Sequence, residues 1–378
     1  MSMCLCICRG PYRGKVTTSA HRTPRAGGRS QGRQIFATLA HISAEQFVPA
    51  ASHSISPRRS SLEGRVGKGS ETLVGLKALI TGATGLLGRE LANRLPAPHV
   101  LTRSPAGYRS SSGAKAWSWQ PEQERIPAAA FDEVEAVFHL AGEPVAEGRW
   151  TAAKKQRIRD SRVLGTRQLV ASMGGILPRP RVLICASATG YYGDRGDEVL
   201  DETSPAGRGF LPDVCRAWEA EALEAEKFGV RVVLARLGVV LAPRGGALER
   251  MRTPFRLGLG GKLGSGLQWM SWVHLEDAVG LLLHAAAHKS LRGPLNVVSP
   301  TPVTNQDFTR QLARALSRPA VLPVPRLALS LAFGEISDVL LESQRVLPRV
   351  AQQSGYAFAY SELAPALVAC TGQARAAG

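Results

Sequence analysis

The segment Gly82-Ala83-Thr84-Gly85-Leu86-Leu87-Gly88 constrains the fold more than any other feature of this 378-residue chain. It follows a short apolar run, Lys77–Thr81, that predicts a buried strand, and its leucine spacing predicts that it opens a helix. A strand, a glycine turn and a helix in this order hold a dinucleotide pyrophosphate on the backbone N–H groups of the helix N-terminus. Chance spacing is the alternative in a chain with 39 glycines, and the position between strand and helix argues against it. The predicted phosphate-binding residues are Gly82, Thr84, Gly85, Leu86, Leu87 and Gly88.

The end of the second predicted strand, His99–Thr102, indicates which dinucleotide binds. The strand is followed by Arg103, whereas an NAD site usually presents an acid here to the ribose 2′-hydroxyl. A guanidinium binds a 2′-phosphate through charge-assisted hydrogen bonds. Thr102 and Arg103 therefore favour NADP(H) over NAD(H), and an ordinary solvated loop cation is the alternative interpretation of Arg103.

Four further apolar runs predict the rest of a parallel sheet: Ala136–Leu140, Arg181–Ser187, Val230–Leu237 and Leu295–Val298. They are separated by helical stretches, and they lack the alternation of strands that are exposed on one face. The predicted fold class is α/β, a Rossmann-type doubly wound parallel sheet with a small, mostly helical C-terminal subdomain. We assign the NADP-binding domain to residues 73–303 and the helical subdomain to residues 304–378, whose first helix Thr304 is predicted to cap.

The N-terminal 72 residues are rich in Arg, Ser, Gly and Ala and nearly free of acids. Residues 1–70 contain 11 Lys and Arg against 2 Glu, so 11 − 2 = +9 of the net charge of +17 lies there. This composition is typical of an organelle transit peptide. We predict that residues 1–72 are a disordered basic extension that directs the protein to the chloroplast. A mitochondrial signal is one alternative, and a cytoplasmic protein with an artefactual extension is another.

Composition also argues against several classes of function. The other 308 residues carry 17 − 9 = +8 without a basic stripe interleaved with aromatic residues, so no nucleic-acid partner is expected. No uninterrupted apolar run reaches the length of a membrane span. The six cysteines form neither a C-x-x-C pair nor a cluster with histidine, so no metal site is expected.

Several long motifs in consistent order make the chain, from about Leu76 to Leu367, similar to a known family. The chain resembles the NAD-dependent epimerase/dehydratase family, and within it an atypical subgroup of extended short-chain dehydrogenase/reductases called epimerase family proteins. The shared motifs include TGATGLLG (81–88), LTRS (101–104), HLAGE (139–143), SATGYYG (187–193), RLGVVLAPRGGAL (236–248) and GEISDVLLESQRVLP (334–348). The subgroup has bacterial, plant-chloroplast and animal members, and plant relatives have been linked to plastid division.

The resemblance implies a Rossmann fold, NADP as cofactor and a substrate that is generally unassigned. It also implies that Thr102, Arg103, Leu140, Ala141 and Arg162 contact the cofactor. Gly142 completes a run of small residues after the third core strand, where backbone passes close to the ribose, and a plain strand-end turn is compatible with the same residues.

Extended reductases catalyse with a Ser or Thr at the end of the fifth strand and a Tyr-x-x-x-Lys pair on the next helix. Ser187 fits the first position, but the corresponding helix, from Phe210 to Glu219, has neither Tyr nor Lys. Tyr191 and Tyr192 follow Ser187 closely and are the predicted source of a phenol in the same cleft, with packing aromatics as the alternative. Without a nearby lysine a phenol keeps a pKa of about 10 and is a poor base at neutral pH.

The substrate side is predicted less specifically. Pro254–Trp272 combines five glycines with Trp269 and Trp272, which suits a mobile lid. His274 is expected to cap the following helix, with a place near the cleft as the alternative. Glu143, Arg149 and Trp150 follow the third core strand and are expected in the pocket or on the surface.

These observations predict an NADP(H)-dependent oxidoreductase or epimerase-like enzyme that acts on an unknown small-molecule substrate. Ser187 and a tyrosine of the 191–192 pair would polarise a carbonyl or carbinol carbon. The alternative is a catalytically degraded nucleotide-binding regulatory or scaffold protein, with a possible role in plastid division.

Overall fold

The structure is a computed structural model that describes residues 75–110, 112–121 and 125–372. The predicted transit peptide, residues 1–72, lies outside the described residues, so it stays a prediction. The strands are β1 (Ala78–Thr81), β2 (His99–Thr102), β3 (Lys115–Ser118), β4 (Ala136–His139), β5 (Val182–Ala188), β6 (Val199–Leu200), β7 (Arg231–Leu237), β8 (Val239–Leu241), β9 (Trp269–Met270), β10 (Trp272–His274), β11 (Gly293–Val297), β12 (Val303–Thr304) and β13 (Arg345–Val346).

Ten α-helices lie within the described residues. They are α1 (Leu86–Arg94), α2 (Ala152–Gly174), α3 (Phe210–Leu223), α4 (Gly246–Arg256), α5 (Leu275–Ala287), α6 (Asn305–Ala315), α7 (Arg326–Phe333), α8 (Ile336–Leu341), α9 (Arg349–Gln353) and α10 (Leu363–Thr371). Short 3-10 helices lie at Pro105–Gly107, Ala128–Phe131, Thr189–Tyr192 and Glu224–Phe228.

Within the described residues, seven strands form one sheet in the order β11-β7-β5-β4-β1-β2-β3. Every neighbouring pair in it is parallel. The chain builds outward from β1 to β3 on one side and from β4 to β11 on the other, so the direction of winding changes between β1 and β4. In such sheets ligands bind outside the carboxyl ends of the strands at this switch point. The predicted doubly wound Rossmann-type fold is confirmed.

The predicted strands agree with the observed ones within two residues at each end, and His99–Thr102 agrees at both ends. The sequence did not predict β3, because this edge strand is half exposed and short, and the run Lys115-Ala116-Trp117-Ser118 is not continuously apolar. Thr304 caps α6 as expected, since its hydroxyl accepts the N–H of Asp307 at 3.2 Å.

A second hydrophobic core lies beside the sheet and draws on two separate parts of the chain. One part, from β8 to β10, contributes Val239, Leu248, Met270 and Trp272, and the other contributes α6 and α10. A third cluster, which we call the cap cluster, joins α7 and α8 to Val145 and Trp150 after β4 and to Val214 of α3. The C-terminal helices therefore cover the carboxyl side of the sheet near β4.

Candidate functional site

The turn between β1 and α1 requires glycine at two positions. Gly82 has φ +74°, and a Cβ on it would lie 2.8 Å from the carbonyl carbon and oxygen of Leu140. A Cβ on Gly88 would lie 2.3 Å from the carbonyl oxygen of Gly82. The turn thus packs directly against the end of β4 on one side and against α1 on the other, as a phosphate-binding turn does.

The N-terminus of α1 has Gly85 as its N-cap and no acid in its first turn. No side chain of the described residues caps it. Thr84 and Leu86 are half-buried beside it, and Leu87 is buried. The positive end of the helix is therefore left to an external anion, which is where the sequence places the pyrophosphate.

Thr81 joins the carboxyl ends of β1 and β4. Its hydroxyl oxygen accepts the N–H groups of Leu140 and Ala141, each at 3.1 Å, and it lies 2.8 Å from Nδ1 of His139. Because both lone pairs of the hydroxyl are used, its proton is donated to Nδ1, and Nε2–H of His139 then donates to Thr166 at 3.0 Å. Burial and the nearby Arg162 lower the pKa of His139 to about 3, so this histidine is neutral at physiological pH.

The end of β2 presents a cation to solvent. Thr102 is half-buried, and its hydroxyl accepts the N–H of Ser104 at 3.3 Å. Arg103 is exposed and has no hydrogen bond or ion pair with any residue between 75 and 372 that the structure describes. A guanidinium in this position remains available to an anionic ligand.

Arg162 of α2 lies against the loop after β4. Its guanidinium donates to the carbonyl oxygens of Glu143 at 3.0 Å and Ile158 at 3.1 Å, and its carbon lies 5.0 Å from the ring centre of Trp218. A Cβ on Gly142 would come within 3.1 Å of the same guanidinium, which explains a residue without a side chain there. The structure therefore brings Leu140, Ala141, Gly142 and Arg162 to one place beside the β1 turn.

The predicted catalytic residue Ser187 belongs to a buried charged network. Its hydroxyl donates to Glu219 of α3 at 2.6 Å. Glu219 in turn forms a bidentate ion pair with Arg236 of β7, with both contacts at 2.9 Å and both side chains more than nine-tenths buried. Since Ser187 gives its proton to a carboxylate, any further partner of its oxygen must be a donor.

The two predicted catalytic tyrosines occupy different environments. Tyr192 is fully buried, its hydroxyl accepts from Arg236 at 3.1 Å, and it lies 2.8 Å from the side-chain oxygen of Asn296. Burial raises the pKa of Tyr192 to about 12, so it is a weaker acid than a free phenol. Tyr191 is half-buried with its ring centre 3.5 Å from the Arg236 guanidinium, and its phenol oxygen has no hydrogen bond to a described residue.

Sequence reasoning missed Glu219 and Arg236. Two signals point to them: an arginine within the otherwise apolar strand Val232–Leu237, and an acid one residue after the buried Trp218. A charge in a buried strand requires a buried partner. Glu219 also lies on the helix that carries the Tyr-x-x-x-Lys pair in related enzymes, and there it faces Ser187.

The other candidate pocket residues all contact neighbouring segments, and their place in the pocket or on the surface stays a prediction. Glu143 forms an ion pair with Lys154 at 2.7 Å, Arg149 donates to the carbonyl oxygen of Leu331 in α7, and Trp150 packs edge-on against Phe210. His274 caps α5, accepting the N–H of Glu276 at 3.2 Å, so the capping interpretation holds.

The lid prediction is wrong for Trp272, which is fully buried in the second core and donates to the carbonyl oxygen of Thr301 at 2.9 Å. Trp269 and Trp272 are three residues apart on extended backbone, so their rings point to opposite sides. Trp269 is half-buried, donates to Asp197 at 2.8 Å and lies under Arg345.

Among residues 75–110, 112–121 and 125–372, no group of three or more His, Cys, Asp or Glu residues could hold a metal ion. In the same residues no helix combines the length and apolarity that crossing a membrane requires.

Comparison with protein families gives two matches. Residues 78–298 match the NAD dependent epimerase/dehydratase family, and residues 324–370 match a domain of unknown function, DUF1731. The second match covers α7 to α10, the helices that form the cap and part of the second core.

Individual proteins are similar over the same region. The epimerase family protein Mb2239 of Mycobacterium bovis is 43% identical over 292 residues, which are 76% of this chain and 95% of that protein. The Arabidopsis thaliana protein called epimerase family protein SDR39U1 homolog, chloroplastic, is 41% identical over 303 residues, 76% of this chain and 84% of that protein. The crystal structure of human epimerase family protein SDR39U1 (isoform 2) with NADPH has a TM-score of 0.70 and 30% identity, and it covers 79% of this chain and 100% of that one.

Proposed function

This chain belongs to the NAD dependent epimerase/dehydratase family, and we propose that it is an NADP(H)-dependent oxidoreductase or epimerase-like enzyme with an unknown substrate. The observation that carries the proposal is the pairing of a tightly packed glycine turn at the uncapped N-terminus of α1 with an exposed Arg103 at the end of β2, which has no partner among the described residues. The human relative of known structure was crystallised with NADPH, which supports the same assignment.

The residues present fit an NADP molecule. Gly82 and Gly88 allow the turn to pack tightly between β4 and α1, and the uncapped N-terminus of α1 suits the pyrophosphate. Thr102 and Arg103 would hold the 2′-phosphate, and Leu140, Ala141, Gly142 and Arg162 would border the ribose. The bound cofactor would supply or accept hydride at the substrate carbon.

The chain's own part in catalysis would fall to Ser187 and a tyrosine of the 191–192 pair. Because Glu219 takes the proton of Ser187, this hydroxyl would accept a hydrogen bond from the hydroxyl group of an alcohol substrate and thereby orient it. Tyr191, half-buried and without a described hydrogen-bond partner, is the better placed of the two tyrosines to donate a hydrogen bond from its phenol to the oxygen of that group. Tyr192 would hold Arg236 and Asn296 in place.

Calorimetric titration of the purified chain with NADPH and NADH tests the cofactor assignment. We expect tighter binding of NADPH, and at least a tenfold loss of NADPH affinity in Arg103→Ala, because a charge-assisted contact contributes about 1.5–3 kcal/mol. NADH affinity should be unchanged by this substitution. The matched control is Arg181→Ala, whose exposed side chain directly precedes β5, at the amino-terminal end of the parallel strands and so at the end opposite to Arg103. Absence of binding by either nucleotide would overturn the proposal.

The alternative, a catalytically degraded regulatory or scaffold protein in plastid division, is motivated by the missing Tyr-x-x-x-Lys pair. The similarity to proteins named as epimerases does not favour it.

We further propose that the chloroplast is the compartment of this protein. The basic, acid-poor composition of residues 1–72 supports this, and so does the name of the Arabidopsis relative. Residues 1–72 fused to a fluorescent protein should enter chloroplasts of plant cells. Accumulation of the fusion in mitochondria or in the cytosol would contradict the assignment.

A further inference from the structure

A second candidate binding site lies on the outer side of α6. It is a groove of 740 Å³ between α6 with its following loop and the segment around Lys262. The volume falls within the range of about 300–1,000 Å³ in which small-molecule sites occur. No function proposed above uses this groove.

The groove is strongly cationic. Lys262, Arg310, Arg314 and Arg318 line it, and none of the described residues that line it is acidic. The acid nearest in sequence, Asp307, is paired with Arg310 at 2.6 Å. Counting Asp307, the groove keeps a charge of 4 − 1 = +3. Among the described residues, Lys262, Arg314 and Arg318 have no ion-pair partner.

The cations are placed by defined backbone features on two separate segments. A Cβ on Gly266, which has φ +77°, would lie 2.9 Å from Cδ of Lys262, so this glycine leaves room for the lysine stem. Ser317 adopts φ +51°, a strained conformation for a residue with a side chain, and the resulting turn bonds the N–H of Arg318 to the carbonyl oxygen of Ala313 at 3.0 Å.

The negative end of the α6 dipole attracts cations, and this is enough to explain Arg314 and Arg318 without a ligand. It does not account for Lys262, which comes from a different segment and faces them. The convergence of cations from two segments on one concave surface is the feature that calls for a ligand.

The groove is separate from the nucleotide cleft. Leu263 and Val324 form an isolated parallel bridge, and both side chains pack against the cap cluster over the end of β4. The neighbouring residues Lys262 and Pro323 line the groove instead. Since successive side chains of extended backbone point to opposite sides, this bridge divides the two sites.

We propose that this groove is a second ligand site that binds a small molecule carrying a diphosphate or triphosphate group. The arginine forks and the lysine would bind the phosphate oxygens. Arg310 and Arg314 lie one helical turn apart, about 6 Å along the axis, a spacing that suits two phosphoryl groups. Ala313, Ala320 and Val321 would contact an apolar part of the same ligand.

The test is calorimetric titration of the full chain with inorganic pyrophosphate in the presence of saturating NADPH, which fills the cofactor cleft. We expect binding that weakens at least tenfold in Arg314→Gln and in Lys262→Gln, because each removes a charge-assisted contact. The control Arg292→Gln removes an exposed arginine before β11 and should leave pyrophosphate affinity unchanged. NADPH affinity should be the same in all four proteins.

Three outcomes would overturn the proposal. Equal pyrophosphate affinity in the wild type and the groove variants would locate binding elsewhere. Pyrophosphate binding that occurs in a parallel titration without NADPH, and is lost when NADPH saturates the chain, would assign it to the cofactor cleft. Citrate binding as tightly as pyrophosphate would make the groove a general anion site. Since the titration is made with NADPH bound, failure of this proposal is distinguishable from failure of the cofactor assignment.

Discussion

At the scale of single residues, the buried ion pair between Glu219 and Arg236 is the most consequential feature outside the glycine turn. It connects Ser187, the residue expected to contact substrate, with Tyr192 and Asn296. Removing one member of a buried pair leaves the other charge without compensation, and this costs far more than losing a surface pair.

We therefore expect Glu219→Gln to lower the free energy of unfolding by about 3–5 kcal/mol. The matched control is Glu221→Gln, two residues further along α3, because Glu221 pairs with the exposed Arg167 and its loss should cost at most about 1 kcal/mol. Guanidinium denaturation of both variants measures the difference. Similar destabilisation by the two substitutions would contradict a special role of the buried pair.

His139 predicts a pH dependence of stability. Its pKa is about 3 in the folded chain and about 6.5 when unfolded, so between these values the unfolded state binds more protons. Stability should fall as the pH is lowered below about 6.5, with a contribution of up to about 1.4 kcal/mol per pH unit, and this group should contribute no slope above that pH.

Urea denaturation of the wild type and His139→Gln between pH 5 and pH 8 measures this contribution. The variant should lose part of the slope below about pH 6.5 and none of it above. Burial also lowers the pKa of His274, to about 4, so some slope of the same sign should remain in the variant. An identical slope in both proteins would show that His139 does not titrate as its burial requires.

At the scale of elements, the unit β1–turn–α1 is set by close packing of backbone. Gly88→Ala would place a methyl group 2.3 Å from the carbonyl oxygen of Gly82, so α1 or the turn must shift. We expect NADPH affinity to fall at least tenfold, because the pyrophosphate depends on the position of the α1 N-terminus.

Gly107→Ala is the control for the Gly88→Ala substitution. A Cβ at Gly107 meets no atom within 4 Å, and its φ is not positive, so cofactor affinity and stability should both be unchanged. Calorimetry and thermal denaturation of both variants separate loss of binding from loss of folding. NADPH affinity retained in Gly88→Ala would mean that the turn does not hold the cofactor.

At the scale of the whole molecule, the sheet and the C-terminal helices depend on each other. The second core needs Val239, Met270 and Trp272 from one part of the chain and Phe308 and Leu312 from the other. A chain that ends at residue 303 exposes these side chains, since α6 and α10 are then absent.

We expect this truncated chain to aggregate or to unfold without a cooperative transition, because several large apolar side chains lose their cover. A chain that begins at residue 75 is the control and should unfold in one transition like the full protein. Circular dichroism during heating and size-exclusion chromatography measure both. A soluble, cooperatively folding truncation would show that residues 75–303 are independent of the C-terminal helices.

The sequence by itself determined the parallel sheet, the glycine turn, the cation after β2 and the cap at Thr304, since each rests on local spacing or on one residue's conformational preference. It also placed Ser187 at the end of its strand. The edge strand β3 escaped prediction because its four residues carry no clear pattern.

Only the tertiary structure decided which side chains meet across distant segments. Glu219 and Arg236 lie 17 residues apart and join through packing of α3 on the sheet. Lys262 and Arg314 line one groove only because α6 lies beside the earlier segment that carries Lys262. The burial of Trp272 and of Tyr192 was settled in the same way. Local periodicity fixes which residues share one face of a helix or strand. Burial and ion pairing depend on which distant segment packs against that face, and the spacing of residues along one sequence does not show which segment this is.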